Sequence, residues 1–467
     1  MGDVYEFIVD GTSGVSPEGV DGSVIVAGVC SKGEEGKTYL LGKNSDLAGL
    51  LGVGCLTDRL MDVMAEGGQS PVVMAVPVTG SGGTTGEVTK TGSGPDITTA
   101  GEALAAADVT LEVLTSGARN AGTYRLSLDG DSWGAETTIP VDGDIACGDT
   151  GVTITVPEAA MVKGDVYRFT TTAPQASISA VLAALEQPLS VFDAEFVYVT
   201  GPSDAVDWAA LSVKGKSLYN AHRPTHFICE ARLPGEDEDY NDWVAALVSD
   251  SRAFIDRNLS VCGAFGEVSD ITGRRLTRNW AGLQVGRTLC VPVNRSIGRV
   301  RDGAISCGSL PDELTDAQIA MLTKARFTMA RRYAQLPGVY WEDALMMAAP
   351  TSDYQRQRTV RTAYKALRKM RIAGLKSIND ELGDPAMEGG AAGISYLKSN
   401  LEGALDTMVK ARPSELAGYV IEVPADQDIV NNGLAVETRL VGIPIIGTIK
   451  LFSSWYWAGS ELDPRLS

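Results

Sequence analysis

The stretch "SPVVMAVPVTGSGGTTGEVTKTGSGPDITT" (residues 70–99) decides how the chain must be divided. Its first nine residues form a near-continuous apolar run, the pattern of a strand buried on both faces of a parallel sheet. It then changes at once into a Gly/Thr/Ser linker in which TGSG occurs at 79–82 and again at 91–94. Upstream, "SVIVAGVC" (23–30) is a second strand. "NSDLAGLLG" (44–52) and "LTDRLMDVMAEGG" (56–68) are helical in spacing, the latter ending in glycine. Strand, helix, strand with short connections is the βαβ pattern of an open α/β sheet.

Beyond the linker the period changes to two. "DVTLEVLT" (108–115), "GTYRLSLDG" (122–130), "ETTIPV" (136–141), "GVTITVP" (151–157) and "DVYRFTTT" (165–172) are short alternating runs separated by Gly/Asp turns. They predict an antiparallel β-sandwich over 81–175. The α/β register returns with "SISAVLAALEQ" (177–187), "EFVYVTGP" (195–202), "THFICEA" (225–231), a helix within 239–255, and "LSVCGAFGE" (259–267). The expected organisation is therefore an α/β core of 18–80 plus 176–300 with the β-sandwich inserted in one of its loops. An α+β unit follows at 301–446, and strand-forming arms lie at 1–17 and 447–467. In the α+β unit, helices are expected over 315–335, from about 352 to 382, and over 393–411. Two strands follow at 416–424 and 434–444.

Composition limits the chemistry. The 467 residues carry 59 Asp and Glu against 40 Lys and Arg, a formal charge of −19, with 44% hydrophobic residues, which fits a folded chain of several domains. No apolar run reaches the length of a membrane span, and "MGDVYEFIVDG" is not the sequence of a secretory signal. Seven scattered cysteines without CxxC spacing are expected as reduced, mostly buried thiols. No catalytic, cofactor or metal site is expected. "GLLGVG" (49–54) lacks the phase and the lysine of a phosphate loop and suits helix capping. His222 and His226 flank Pro224, which disfavours the helix an HxxxH metal pair needs. Asp129 and Asp131 suit a hairpin turn better than calcium, and the acidic run 235–242 suits a solvated helix start.

The positive charge is concentrated. Residues 274–376 hold 19 Lys and Arg against 7 Asp and Glu, which is +12 and leaves −31 for the remainder. Within it, "RTVRTAYKALRKMRIAGLKS" (358–377) has no carboxylate at all. At helical spacing Arg358, Arg361, Lys365, Arg368, Lys369 and Lys376 share one face, and Val360, Ala363, Ala366, Leu367, Met370 and Ala373 the other. Like charges repel along a helix, so this face is expected to meet a negative partner. DNA, RNA, anionic lipid or an acidic protein all satisfy that requirement. The terminal arms ask for a partner as well. Val4, Tyr5, Phe7 and Ile8 at one end, and Ile449, Leu451, Phe452, Trp455 and Trp457 at the other, are strand-prone residues suited to pairing with a neighbour's sheet. The alternative is pairing inside the chain's own C-terminal sheet.

The order of these parts resembles contractile tail sheath proteins of phages and phage-like particles. The phrases that carry the resemblance are "GSVIVAGVCSKG", "LLGVGCLTDRLMDVMAEGGQSPVVMAVPV", "AGLQVGRTLCVPVNRSIGRVRDGAIS" (281–306), and "RRYAQLPGVYWEDALMMAAPTSDYQRQRTVRTAYKALRKM" (331–370). It implies a structural helical polymer of stacked rings around an inner tube, assembled in a bacterial host cytoplasm into a virion or phage-like tail. Contraction would drive the tube through a target envelope, without catalysis, cofactor, membrane insertion or nucleic acid. It also implies arms exchanged between subunits, an inserted domain on the outside, an acidic tube protein facing the basic helix, and baseplate and terminator partners. A nucleic-acid-binding α/β enzyme using 274–376 is the competing reading. It lacks a recognisable catalytic site, and the acidic remainder would repel a polyanion.

Overall fold

The computed structural model describes residues 20–68, 71–235, 237–270, 272–383, 392–424, 427–455, 457–458 and 465. The expected N-terminal arm (1–17), with Val4, Tyr5, Phe7 and Ile8, lies outside the described residues.

Six strands form the central sheet: β1 (Ser23–Val29), β2 (Tyr39–Leu41), β3 (Val72–Val78), β4 (Phe196–Ser203), β5 (His226–Ala231) and β6 (Leu259–Cys262), in the order β6-β5-β4-β1-β3-β2. All neighbours are parallel except β2, which runs antiparallel to β3 at one edge. Every residue of β1 and β5 is buried, as expected of parallel strands covered on both faces. The covering helices include α1 (Cys55–Glu66), α2 (Ile178–Val191), α3 (Ala205–Asn220) and α4 (Tyr240–Ala253). Trp208 of α3 and Trp243 of α4 are wholly enclosed.

Between β3 and α2 the chain leaves this body and returns to it. Ser81 and Gln175 exchange backbone hydrogen bonds of 3.0 Å and close the neck. Residues 84–172 form two antiparallel sheets that share a separate apolar cluster, including Val109, Leu111, Ile145, Ile154, Tyr167 and Phe169. The Asp129 turn touches the body, its carboxylate accepting the Arg275 N–H at 3.2 Å. The same carboxylate caps the N–H groups of Asp131 and Ser132, the hairpin-turn role expected for this sequence.

The main core runs further along the chain than expected. It continues past residue 300 through Ile305, Leu322, Phe327 and Trp341 to Met347. The helix α5 (Ala281–Cys290) lies against α1 through Gly282 and Gly286. A Cβ at Gly282 would stand 2.8 Å from the Asp62 Cβ, and one at Gly286 would stand 2.6 Å from the Val63 carbonyl oxygen, so only glycine permits this approach. The helix expected over 315–335 is short, Asp316–Lys324. Thr315 caps it, but the chain then turns at Arg326 (φ 77°) and becomes a hairpin, Ala330–Tyr333 with Leu336–Trp341. Burial of Phe327, Met329 and Ala330 in the main core outweighs the helical spacing.

The last unit consists of α6 (Gln357–Leu375), α7 (Ala392–Val409), and the antiparallel pair β7 (Gly418–Glu422) and β8 (Glu437–Val441). Ala366, Ala373, Leu401, Leu405, Met408 and Ile421 make its core. Residues 442–455, by contrast, form no strand. The strand expected at 447–457 is therefore absent among the described residues, and so is pairing of this segment with β7 or β8.

Candidate functional site

The helix α6 is where the parts of the chain meet. Its upper half carries Val360 and Tyr364 against Met346 and Ala348, and its lower half carries Ala366 and Ala373 into the last unit. A helix buried on two sides cannot offer a continuous charged face to a partner. The six cations expected to do so divide into two groups.

Four of them act inside the chain. Arg361 reaches Glu195, at the foot of β4, with Nε–Oε1 at 2.5 Å and Nη2–Oε2 at 3.2 Å, and the two side chains are only 3% and 1% exposed. The Gly22 N–H adds a third bond to Glu195 at 2.7 Å. Burial alone would raise the Glu195 pKa, but Arg361, the Gly22 N–H and Arg368 outweigh it and hold the carboxyl below its ordinary value. Lys365 lies 2.8 Å from Asp21 and 2.6 Å from Glu415. Burial opposes its charge, yet these two hydrogen bonds hold its pKa above the ordinary value. Arg368 bonds Asp21 and the Pro224 carbonyl, each at 3.0 Å. Arg358 stands 3.9 Å from Asp343, which also accepts from Arg356. One helix face thus binds the point where the N-terminal segment enters the body (Asp21), the foot of the sheet (Glu195) and the last unit (Glu415). The remaining two, Lys369 and Lys376, together with Arg371, have no carboxylate partner among the described residues.

Other arginines of the basic stretch are also paired inside the fold. Arg274, Arg278 and Arg287 pair with Asp58, Asp62 and Glu66, one carboxylate per turn along α1, at 2.5, 2.6 and 2.8 Å. Arg331 and Arg332 pair with Glu342 and Asp312. The charge asymmetry along the sequence is to this extent complementarity within the fold. It leaves fewer cations of this stretch free for the polyanion that the competing reading requires.

His226 is enclosed, stacked on Phe196 and 3.0 Å from the Gln357 amide. Burial, with Arg361 and Arg368 adding to it, pushes its pKa down to about 3. That is a packed neutral histidine. Gly52 ends the short helix Leu47–Leu51 and Gly54 begins α1, the capping role expected of "GLLGVG". Among the described residues there is no group of three His, Cys, Asp or Glu able to hold a metal. No described helix is long and apolar enough to cross a membrane.

The C-terminal segment is the opposite of α6. Ile446, Ile449 and Leu451 are exposed, and Phe452, Trp455 and Trp457 are 91%, 82% and 74% exposed. Exposed apolar residues thus concentrate on one short segment.

Residues 1–345 match the N-terminal domain of the DUF2586 family, and residues 353–459 match its C-terminal domain. No curated protein matches the sequence. Two solved structures share the fold. The sheath tail protein of Desulfitobacterium hafniense is 15% identical with a TM-score of 0.51, the match covering 95% of this chain and all of that one. The helical sheath of the anti-feeding prophage in its contracted state is 11% identical with a TM-score of 0.53, covering 97% and 98%. The fold is that of tail sheath proteins.

Proposed function

The chain belongs to the DUF2586 family, and we propose that it is the subunit of a contractile tail sheath. It polymerises helically around an inner tube, in stacked rings, and contracts to drive that tube through a target cell envelope. The role is structural, in the tail of a virion or phage-like particle assembled in a bacterial cytoplasm, with baseplate and terminator proteins at the ends of the polymer. The sheath fold supports this reading.

The observation that carries it is the exposed apolar C-terminal segment, whose Ile449, Leu451, Phe452, Trp455 and Trp457 are left largely uncovered by the described residues. Such a segment placed on a neighbour makes a heterologous contact, and heterologous contacts that do not close build filaments. Val4, Tyr5, Phe7 and Ile8 are proposed as the second exchanged strand. The two antiparallel sheets of 84–172, joined to the body at one neck, form a sandwich module on the outer surface. Contact with an acidic tube falls to Lys369, Arg371 and Lys376, because Arg358, Arg361, Lys365 and Arg368 are engaged internally. Electron microscopy of the overexpressed chain tests the proposal. Hollow tubes or rings are expected, and uniformly dispersed single particles at high concentration would reject it.

A further inference from the structure

Beside α6, an open groove of about 430 Å3 is lined chiefly by Tyr219, Leu367, Leu375, Ile378, Leu397 and Val436. Leu375 and Ile378 are exposed along it. Arg368 and Arg371 also line the groove, and Lys376 follows Leu375 in sequence. Arg368 is occupied by Asp21, whereas Arg371 and Lys376 are exposed and without a carboxylate partner among the described residues. An apolar floor beside free cations fits a segment that mixes apolar and acidic residues.

The chain's own first residues have that composition. Positions 3–10 read "DVYEFIVD", and residues 1–20 contain the four carboxylates Asp3, Glu6, Asp10 and Glu18 with no Lys or Arg. They also join the body at the groove. Asp21, the next residue, is held by Arg368, a residue of the groove lining. We propose that in the unassembled subunit residues 3–10 occupy this groove in their own chain, with their carboxylates toward Arg371 and Lys376. Residues 11–20 make the connection, and ten residues span at most about 33–36 Å. A connection of that length gives an effective concentration on the order of millimolar, so at ordinary protein concentrations the chain's own segment outcompetes that of a second copy. The segment is thereby withheld from neighbours until subunits are crowded at a growing polymer end. That consequence rests on the polymer reading above, whereas occupancy of the groove does not.

The test uses the full chain with a photoreactive benzophenone side chain in place of Phe7, irradiated and analysed by mass spectrometry. Cross-links to the segment 367–378 or to Leu397 are expected, at a yield that dilution leaves unchanged. The double variant Arg371→Glu/Lys376→Glu, at exposed positions, should lower the ratio of cross-linked to free chain by about tenfold, within the range for two exposed ion pairs. Cross-links elsewhere, or a yield that falls on dilution as docking to a second copy requires, would overturn the proposal. Such a result in a chain that still forms tubes rejects groove occupancy alone. An intact intramolecular cross-link in a chain that never forms tubes rejects the polymer reading alone.

Discussion

The helix α6 and the C-terminal segment 442–458 both invite the word interface, one for its charge and the other for its apolar surface. The structure separates them. Arg361, Lys365 and Arg368 of α6 end on Glu195, Asp21 and Glu415 of the same chain, while Phe452, Trp455 and Trp457 stand exposed among the described residues. A long charged side chain can be satisfied by a carboxylate brought from far along the sequence. A large apolar surface left exposed is a common mark of a contact with another molecule. Among the described residues, charge ties α6 into the subunit, and the C-terminal segment leaves its apolar residues exposed.

Removing one partner of the Arg361–Glu195 pair should give the largest effect on stability. Arg361→Ala leaves Glu195 buried and uncompensated, and should cost about 3–5 kcal/mol in urea unfolding followed by circular dichroism. Adding Glu195→Gln to that variant should restore part of the loss. An Arg361→Ala protein as stable as the parent would mean that α6 is not an internal tie. Lys365, less deeply buried but with two carboxylates, should lose about 1–2 kcal/mol on change to Ala. Charge reversal at Lys365 or Arg368 is therefore a perturbation of the fold rather than a clean test of tube binding.

Acid should loosen the same junction. His226 is held neutral with a pKa of about 3, against an ordinary value of about 6.5. Between these values the unfolded chain binds a proton that the folded chain refuses. Stability should thus fall with decreasing pH by roughly 1.4 kcal/mol per unit below pH 6.5 from this group, and the contribution is constant above it. The urea midpoint of His226→Gln should show a flatter pH profile over that window; a profile parallel to the parent's would contradict the assignment. The smallest effect is expected at the free cations. Lys376→Glu should leave the unfolding midpoint unchanged within about 0.5 kcal/mol, as is usual for exposed positions.

Much of the fold can be read in the sequence, and the misreadings share a cause. Parallel strands buried on both faces leave long apolar runs, so β1, β3, β4 and β5 stand where their runs are. α3 is absent from the sequence reading because buried Trp208, Leu211 and Leu218 alternate with small residues and weaken the amphipathic contrast. Asp204 and Asp207, which form its capping box, are the local signal that marks it. α5 is short and buried nearly all round, its polar Gln284, Arg287 and Thr288 included, and its close approach to α1 rests on Gly282 and Gly286. The basic face of α6 is correct as a pattern of charge, yet its carboxylate partners lie at Asp21, Glu195 and Glu415. Nothing local in 358–377 encodes where its counter-charges fold.

Assembly through the C-terminal apolar segment, and not through the face of α6, can be tested by comparing variants of the two regions. Sedimentation velocity of the triple variant Phe452→Ser/Trp455→Ser/Trp457→Ser, beside the parent and Arg371→Glu/Lys376→Glu, compares the two regions directly. Large polymers are expected from the parent and from the charge-reversed chain, and a folded monomer from the triple variant. Polymers from the triple variant, with monomers from the charge-reversed chain, would contradict assembly through the C-terminal segment.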